Sequence, residues 1–430
     1  MKHFLKFVFS ALVVLHTTSL KAMDPVDSVV FEKGAKALGE ELGVFGKRVI
    51  TTEIASIGPQ TTAVGVALVK GEGTEGESQA AFSRDFNFKA EDAKERAQGY
   101  KKKAEVAQKE KRKCWLPWSK VVKRNEAVCW ETAETNLMQA SSCWDKANEA
   151  LIQENQHLAA LYGKAAQQYE ESFEYNCQAA NAIASGNNID YDRFDKAATP
   201  AQQSADRLEV ASKILEKVNQ VALENQGEFS ALLLRASQQH EESAEYYRES
   251  AQAKLNWKDN SYYRFDMAAF SAKLSAGQFE KASEALERAN QATAANQEEL
   301  SLLLMKSVKQ WKESAEYYYL AANAKETENN PDFDRFYWAG SSACDSAKQL
   351  KEAVDTREKI SKAMELDHAE VIPVLMEAAK KYEESSEYYR QATNAKISGN
   401  NTDYDSLNRM GRSAENTAFS IKEQVKILLI

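Results

Sequence analysis

A six-residue phrase returns four times along this chain at a constant interval of 71 residues. The copies are Tyr169-Glu170-Glu171-Ser172-Phe173-Glu174, His240-Glu241-Glu242-Ser243-Ala244-Glu245, Trp311-Lys312-Glu313-Ser314-Ala315-Glu316 and Tyr382-Glu383-Glu384-Ser385-Ser386-Glu387. Each opens on an aromatic residue or His, places Ser three positions later and ends on a Glu that Tyr follows. A period that never drifts means that one supersecondary unit has been duplicated and stacked against its neighbours. Arrays of this kind expose long surfaces and seldom enclose a catalytic pocket. The period therefore restricts function as well as fold.

The unit reads as two long helices. Only 17 Gly and 6 Pro interrupt 430 residues, and 43% of the chain is hydrophobic, enough for packed cores. The first helix carries an apolar stripe at spacings of three and four: Leu233, Ser237, His240, Ala244, Tyr247, Ala251, repeated as Leu304, Val308, Trp311, Ala315, Tyr318, Ala322. Breaks follow at Gly186-Asn187-Asn188, Lys258-Asp259-Asn260, Asn329-Asn330-Pro331 and Gly399-Asn400-Asn401, and the second helix then places Phe194, Phe265, Phe336 and Leu407 in register. Each helix would be about 45 Å long.

The expected fold is all-α, a tandem array of long antiparallel helical hairpins, solenoid- or bundle-like, after a short N-terminal segment. Its parts are a signal peptide at 1–22, an N-terminal segment and linker at 23–85, a degenerate basic hairpin at 86–150, and repeats at 151–221, 222–292, 293–363 and 364–430. The run Gly71 to Ser78 reads as solvated linker. In the degenerate unit Tyr100-Lys101-Lys102-Lys103-Ala104-Glu105 matches the phrase at an offset of 69, and Cys114-Trp115-Leu116-Pro117-Trp118 takes the turn. Tetratricopeptide arrays have nearly half this period, but their short helices need a breaker about every 14 residues. Gly163, Pro200, Gly277 and Pro373 each occur in one copy only, so the long hairpin is the better reading.

Residues 1–22 have the pattern of an export signal: a basic start with Lys2 and Lys6, an apolar core from Phe7 to Leu15, and a small residue at Ala22. Export to a bacterial periplasm, envelope or exterior is the expectation. Without those residues the net charge falls from −9 to −12. It is unevenly spread: Lys101 to Arg124 holds ten basic residues against Glu105 and Glu110. An acidic remainder on an exported chain argues against nucleic acid as partner.

Two Trp flanked by cations make Lys111, Arg112, Lys113, Trp115, Trp118 and Lys120 the candidate contact with a membrane surface or another partner. Opposite charges on hairpin and repeats also suit self-association. The five Cys form no CxxC pair. A helical turn near Gln153 would bring Cys129 level with Cys177, the candidate disulfide in an oxidising space. The turn pattern of Asn188, Asp190 and Asp192 superficially suits calcium, but Gly at the sixth position and Glu at the twelfth are missing. Helix capping accounts for all four copies, with Asp190, Ser261, Asp332 and Asp403 as expected N-caps. No catalytic, cofactor or metal motif occurs.

The sequence thus points to a non-catalytic scaffold that binds an unidentified protein. The alternative is a structural spacer or oligomer that meets a membrane or anionic partner through Trp115 and Trp118. The array itself makes a strict demand: Ser172, Ser243, Ser314 and Ser385 must occupy equivalent surroundings.

Overall fold

The computed structural model describes residues 75–113, 117–222, 227–256, 261–366 and 368–428. The export signal at 1–22 and the segment up to residue 74 lie outside the described residues. The chain divides into two units, 1–78 and 79–430, and the account below concerns the second.

Ten helices are described: α1 (Glu75–Lys113), α2 (Pro117–Ile152), α3 (Gln156–Ser185), α4 (Asn188–Ala222), α5 (Gly227–Leu255), α6 (Ser261–Ala294), α7 (Glu298–Glu326), α8 (Asn330–Glu365), α9 (Ile372–Ile397) and α10 (Asn401–Leu428). From α2 onward each helix packs against the next in sequence. The pairs α3–α4, α5–α6, α7–α8 and α9–α10 are the four hairpins, built from helices of 26 to 36 residues. The fold is an all-α array. One boundary moves: the supposed linker at 71–78 ends early, because α1 begins at Glu75.

Small residues set the spacing of the array. Ala197, Ala268 and Ala339 stand in register and are fully buried, as are Ala205, Ala276, Ala347 and Ala418. Alanine lets helix backbones approach closely, and the rings of Tyr169, Trp311 and Tyr382 fill the space between them. Gly340 and Gly411 take this furthest, since an added Cβ would lie 3.2 and 3.0 Å from the rings of Tyr318 and Tyr389.

The phrase serine locks each hairpin. Ser172, Ser243, Ser314 and Ser385 are all 0% exposed. Their hydroxyls donate to the carbonyls of Ala198 (3.0 Å), Ala269 (2.8 Å), Gly340 (2.7 Å) and Gly411 (2.8 Å), in each case 26 residues ahead on the second helix. The four serines make the same donor bond, and Ser172 in addition accepts from the Asn136 amide at 2.9 Å. Leaving a buried hydroxyl without an acceptor is costly, and a helix carbonyl has a spare lone pair.

A second row of serines ties hairpin to hairpin. Ser204 donates to the Ala244 carbonyl (2.8 Å) and Ser346 to the Ser386 carbonyl (2.9 Å). Their register partner Ser275 is equally buried yet has no hydrogen-bond partner. On α10 the corresponding residue is Thr417, exposed and bonded back to the Ser413 carbonyl of its own helix.

The hairpin tips correct the expected caps. The N-caps are Asn187, Asn329 and Asn400, whose side-chain oxygens accept from the backbone N–H of Asp190 (3.1 Å), Asp332 (3.3 Å) and Asp403 (3.2 Å). Those aspartates sit three positions inside, where their carboxylates accept from the same Asn amides at 2.6 to 2.7 Å. Each Asn–Asp pair is thus bonded in both directions, and an acid at the third position also suits the helix dipole. Ser261 is likewise no cap but the first helical residue of α6. Gly186, Glu328 and Gly399 share one left-handed turn position, with φ of 76°, 62° and 79°.

Candidate interaction surface on the first-helix layer

Ion pairs between alternate helices show that the hairpins form two layers. In the first-helix layer Arg235 of α5 meets Glu316 of α7 at 3.4 Å, and Lys312 of α7 meets Glu228 of α5 at 3.5 Å. In the other, Arg288 of α6 bridges Asp355 (2.9 Å) and Glu358 (2.8 Å) of α8, and Lys422 of α10 meets Glu352 of α8 (2.7 Å).

The two layers are sheared differently. Arg235 stands in register with Lys306 but pairs with Glu316, ten positions further along α7. Lys422 is in register with Lys351 and pairs with Glu352, one position away. First helices therefore slide past one another while second helices stay level. This shear sets the early half of one first helix beside the later half of the next. The residues Glu174, Glu245, Glu316 and Glu387 recur there, all exposed.

Beside them runs a second ladder. Gln168, Gln239 and Gln310 donate to Glu171 (3.0 Å), Glu242 (2.9 Å) and Glu313 (3.0 Å), and Lys381 replaces the amide opposite Glu384 (2.7 Å). The Tyr175, Tyr246 and Tyr388 hydroxyls donate to the same carboxylates at 2.6, 3.4 and 3.3 Å. Tyr247, Tyr318 and Tyr389 are buried, so the second ring of each pair belongs to the core; Tyr317 and Tyr388 are half-buried.

The leading position of the phrase points into the hairpin. Tyr169 donates to Asp206 (2.8 Å) and to Glu209 (3.2 Å), and His240 Nε2 lies 2.9 Å from Glu280, the register partner of Glu209. In the last two hairpins that register holds Lys351 and Lys422. There the leading residue is a ring beneath a cation, Lys281 over Trp311 (4.9 Å) and Lys422 over Tyr382 (5.6 Å). Burial holds the His240 imidazole below its ordinary pKa, with Glu280 opposing.

What remains exposed is also periodic. Leu234, Met305 and Met376 share one register position on α5, α7 and α9, at 37%, 41% and 58% exposure, with Leu302 one turn before Met305. Arg235 and Lys306 flank them. Met suits such a row because its unbranched thioether adapts to varied partners.

The basic hairpin is a separate surface. Lys101, Lys102, Lys109 and Arg124 are exposed and Lys111 is half-buried; none makes an ion pair among the described residues. Val106, Val121 and Val128 are exposed beside them, by 53%, 57% and 49%. Lys103 is engaged over the rings of Tyr100 (4.5 Å) and Trp130 (4.8 Å). An open depression of 330 Å³ between α1 and α2 is lined by Lys101, Glu105, Gln108, Lys109, Glu131 and Glu134.

Of the sequence candidates, Trp115 lies outside the described residues, as do the side chains of Arg112, Lys113, Trp118 and Lys120. Cys129 and Cys177 share one apolar cluster, but both are free thiols and the expected bridge is not made. Burial pushes each thiol up to about 12, and the Tyr100 hydroxyl hydrogen-bonds Cys177. Sequence reasoning missed the capping asparagines, although Asn followed three residues later by Asp was visible. It also missed the serine row 204, 275, 346, whose spacing matches the period. Among the described residues no cluster of three or more His, Cys, Asp or Glu could hold a metal, and no helix is long and apolar enough to cross a membrane. Comparison with protein-family models, curated proteins and solved structures finds no match.

Proposed function

We propose that the chain is an exported, non-catalytic scaffold that offers its first-helix layer to a protein partner. The observation that carries this reading is the periodic apolar row Leu234, Met305 and Met376, left exposed where the phrase residues are consumed by internal locks. A row at one register position presents the same chemistry at each step, which suits an extended partner better than a compact one. Lys306 beside the row favours a partner with acidic residues around an apolar ridge. Photo-crosslinkers at positions 305 and 376, in the organism that makes the protein, test this against crosslinkers at Arg409 and Thr417 on α10. Adducts of one partner from the row and none from α10 support the reading; equal adducts from both sites sink it. Export is checked separately by the mass of the mature chain, which should lack residues 1–22.

A second reading places the basic hairpin against an anionic surface. It rests on the cations Lys101, Lys102, Lys109, Lys111 and Arg124, which make no ion pair among the described residues, and on the exposed valines between them. Flotation with vesicles containing anionic lipid, but not with neutral ones, is the expected result. Flotation unchanged by Trp115→Ala with Trp118→Ala would remove the tip from that reading.

A further inference from the structure

The joint between the second and third hairpins differs from the joints on either side. One register position holds Arg248 on α5, Tyr319 on α7 and Arg390 on α9. The guanidinium of Arg248 is held by Glu245 of its own helix (Nε, 3.1 Å) and faces Glu171 of α3; that of Arg390 is held by Glu387 (2.6 Å) and faces Glu313 of α7. At the middle joint Tyr319 takes this place, beside Tyr246. Glu326 of α7 also enters, where its register partners are Ala184, Leu255 and Ile397. The single Tyr246 hydroxyl lies 3.4 Å from Glu242 and 3.1 Å from Glu326. It has one proton to donate, so two carboxylates compete for it with no guanidinium opposite.

We propose that this joint is a pH-sensitive element of the array: a proton taken up by Glu242, beside Glu326, closes it, and loss of that proton loosens it. Glu242 is pushed up to about 7, by burial first and then by Glu326, while the Gln239 amide and the Tyr246 hydroxyl oppose the rise. A carboxyl raised in the folded state binds an extra proton there. Its stabilisation is full below the ordinary carboxylate range and is lost as pH rises through about 7.

The surrounding charges leave this pair uncompensated. On α5, Glu245 is taken by Arg248, and Glu249 is itself raised by burial and by Glu245. Arg264 of α6 is paired with Glu328, Lys254 with Asp266, and Glu316 of α7 with Arg235. His157 and Lys164 of α3 face Glu241 instead. His240, on the α6 side with Arg207 and Lys273 near it, titrates with the opposite sign: its contribution is lost as pH falls. The exposed row Leu234–Met305 crosses this joint, so a looser joint alters the spacing seen by anything bound along it.

Hydrogen exchange on the full chain tests this, in a His240→Tyr background that removes the opposing titration. Protection of segments 239–249 and 313–326, corrected for intrinsic rates, is compared at about pH 5.5 and about pH 8. Protection should fall about fivefold or more at the higher pH. Glu326→Gln should reduce that fall, leaving the part that the burial of Glu242 supplies, and Tyr319→Arg should reduce it by restoring the cation. Segment 384–394, at the Arg390 joint, should not change. No fall in the parent, or the same fall in both variants, overturns the proposal; Glu326→Gln decides alone if Tyr319→Arg does not fold.

Discussion

Ser172, Ser243, Ser314 and Ser385 tie the two helices of every hairpin with the same bond, whereas the three joints between hairpins share no single design. Ser204 and Ser346 close the first and third joints; Ser275 at the middle one finds no acceptor. The charges repeat the contrast, with Arg248 and Arg390 at the outer joints and Tyr319 between them. The copied object is thus the hairpin, held rigid by burial, while the joints have been free to diverge. In arrays stability is roughly a sum of unit and interface contributions, so a change at one joint leaves the other units intact.

The largest way to strain this contrast is Trp311→Ala. Trp311 is buried in the cluster that also holds Leu232, Phe279 and Ala347, so it belongs to the middle joint and to its hairpin at once. A loss of about 3–5 kcal/mol is expected, read as an earlier urea midpoint in circular dichroism. Next is Gly340→Ala, which drives a methyl to 3.2 Å from the Tyr318 ring and should cost about 1–3 kcal/mol. The hairpin ahead carries Ala269 at that position, so a cost near zero would show that Tyr318 moves aside as easily as Tyr247 does.

The serine rows sharpen the comparison at smaller scale. Ser204→Ala and Ser346→Ala should each lose about 1 kcal/mol with the bond they remove. Ser275→Ala removes a buried hydroxyl that has no partner and should change stability by less than about 0.5 kcal/mol, or raise it. Equal losses at all three positions would mean that the middle joint is closed like the others. The least effect at neutral pH is expected from His240→Tyr, which installs the residue found at 169 and 382. Because burial lowers the folded pKa of His240 from 6.5, the unfolded chain binds the extra proton, and stability falls as pH drops through that value. The variant should lose this acid sensitivity while keeping the same midpoint above it.

Much of the fold was legible because a strict period carries its own register. Once Ser172 is aligned with Ser385, the long helices, the tips near Gly186 and Gly399, and the burial of Ala and Tyr follow from spacing and the scarcity of breakers. The caps were misplaced by three residues because Asn187 and Asp190 are both good capping residues, and only backbone geometry shows which one ends the turn. The cysteines misled for a similar reason. Equal distance from a turn brings Cys129 and Cys177 into one cluster, but it does not set the orientation that a bridge requires.

Sequence alone determined that this protein is a stack of copied helical hairpins, since duplication and periodicity are properties of the chain order. The shear of the first-helix layer, the mismatch at Ser275 and the meeting of Glu242 with Glu326 were decided only in three dimensions. Those features depend on how one hairpin slides over the next by several residues. That offset is set by the sum of many small packing contacts, and no local pattern encodes it.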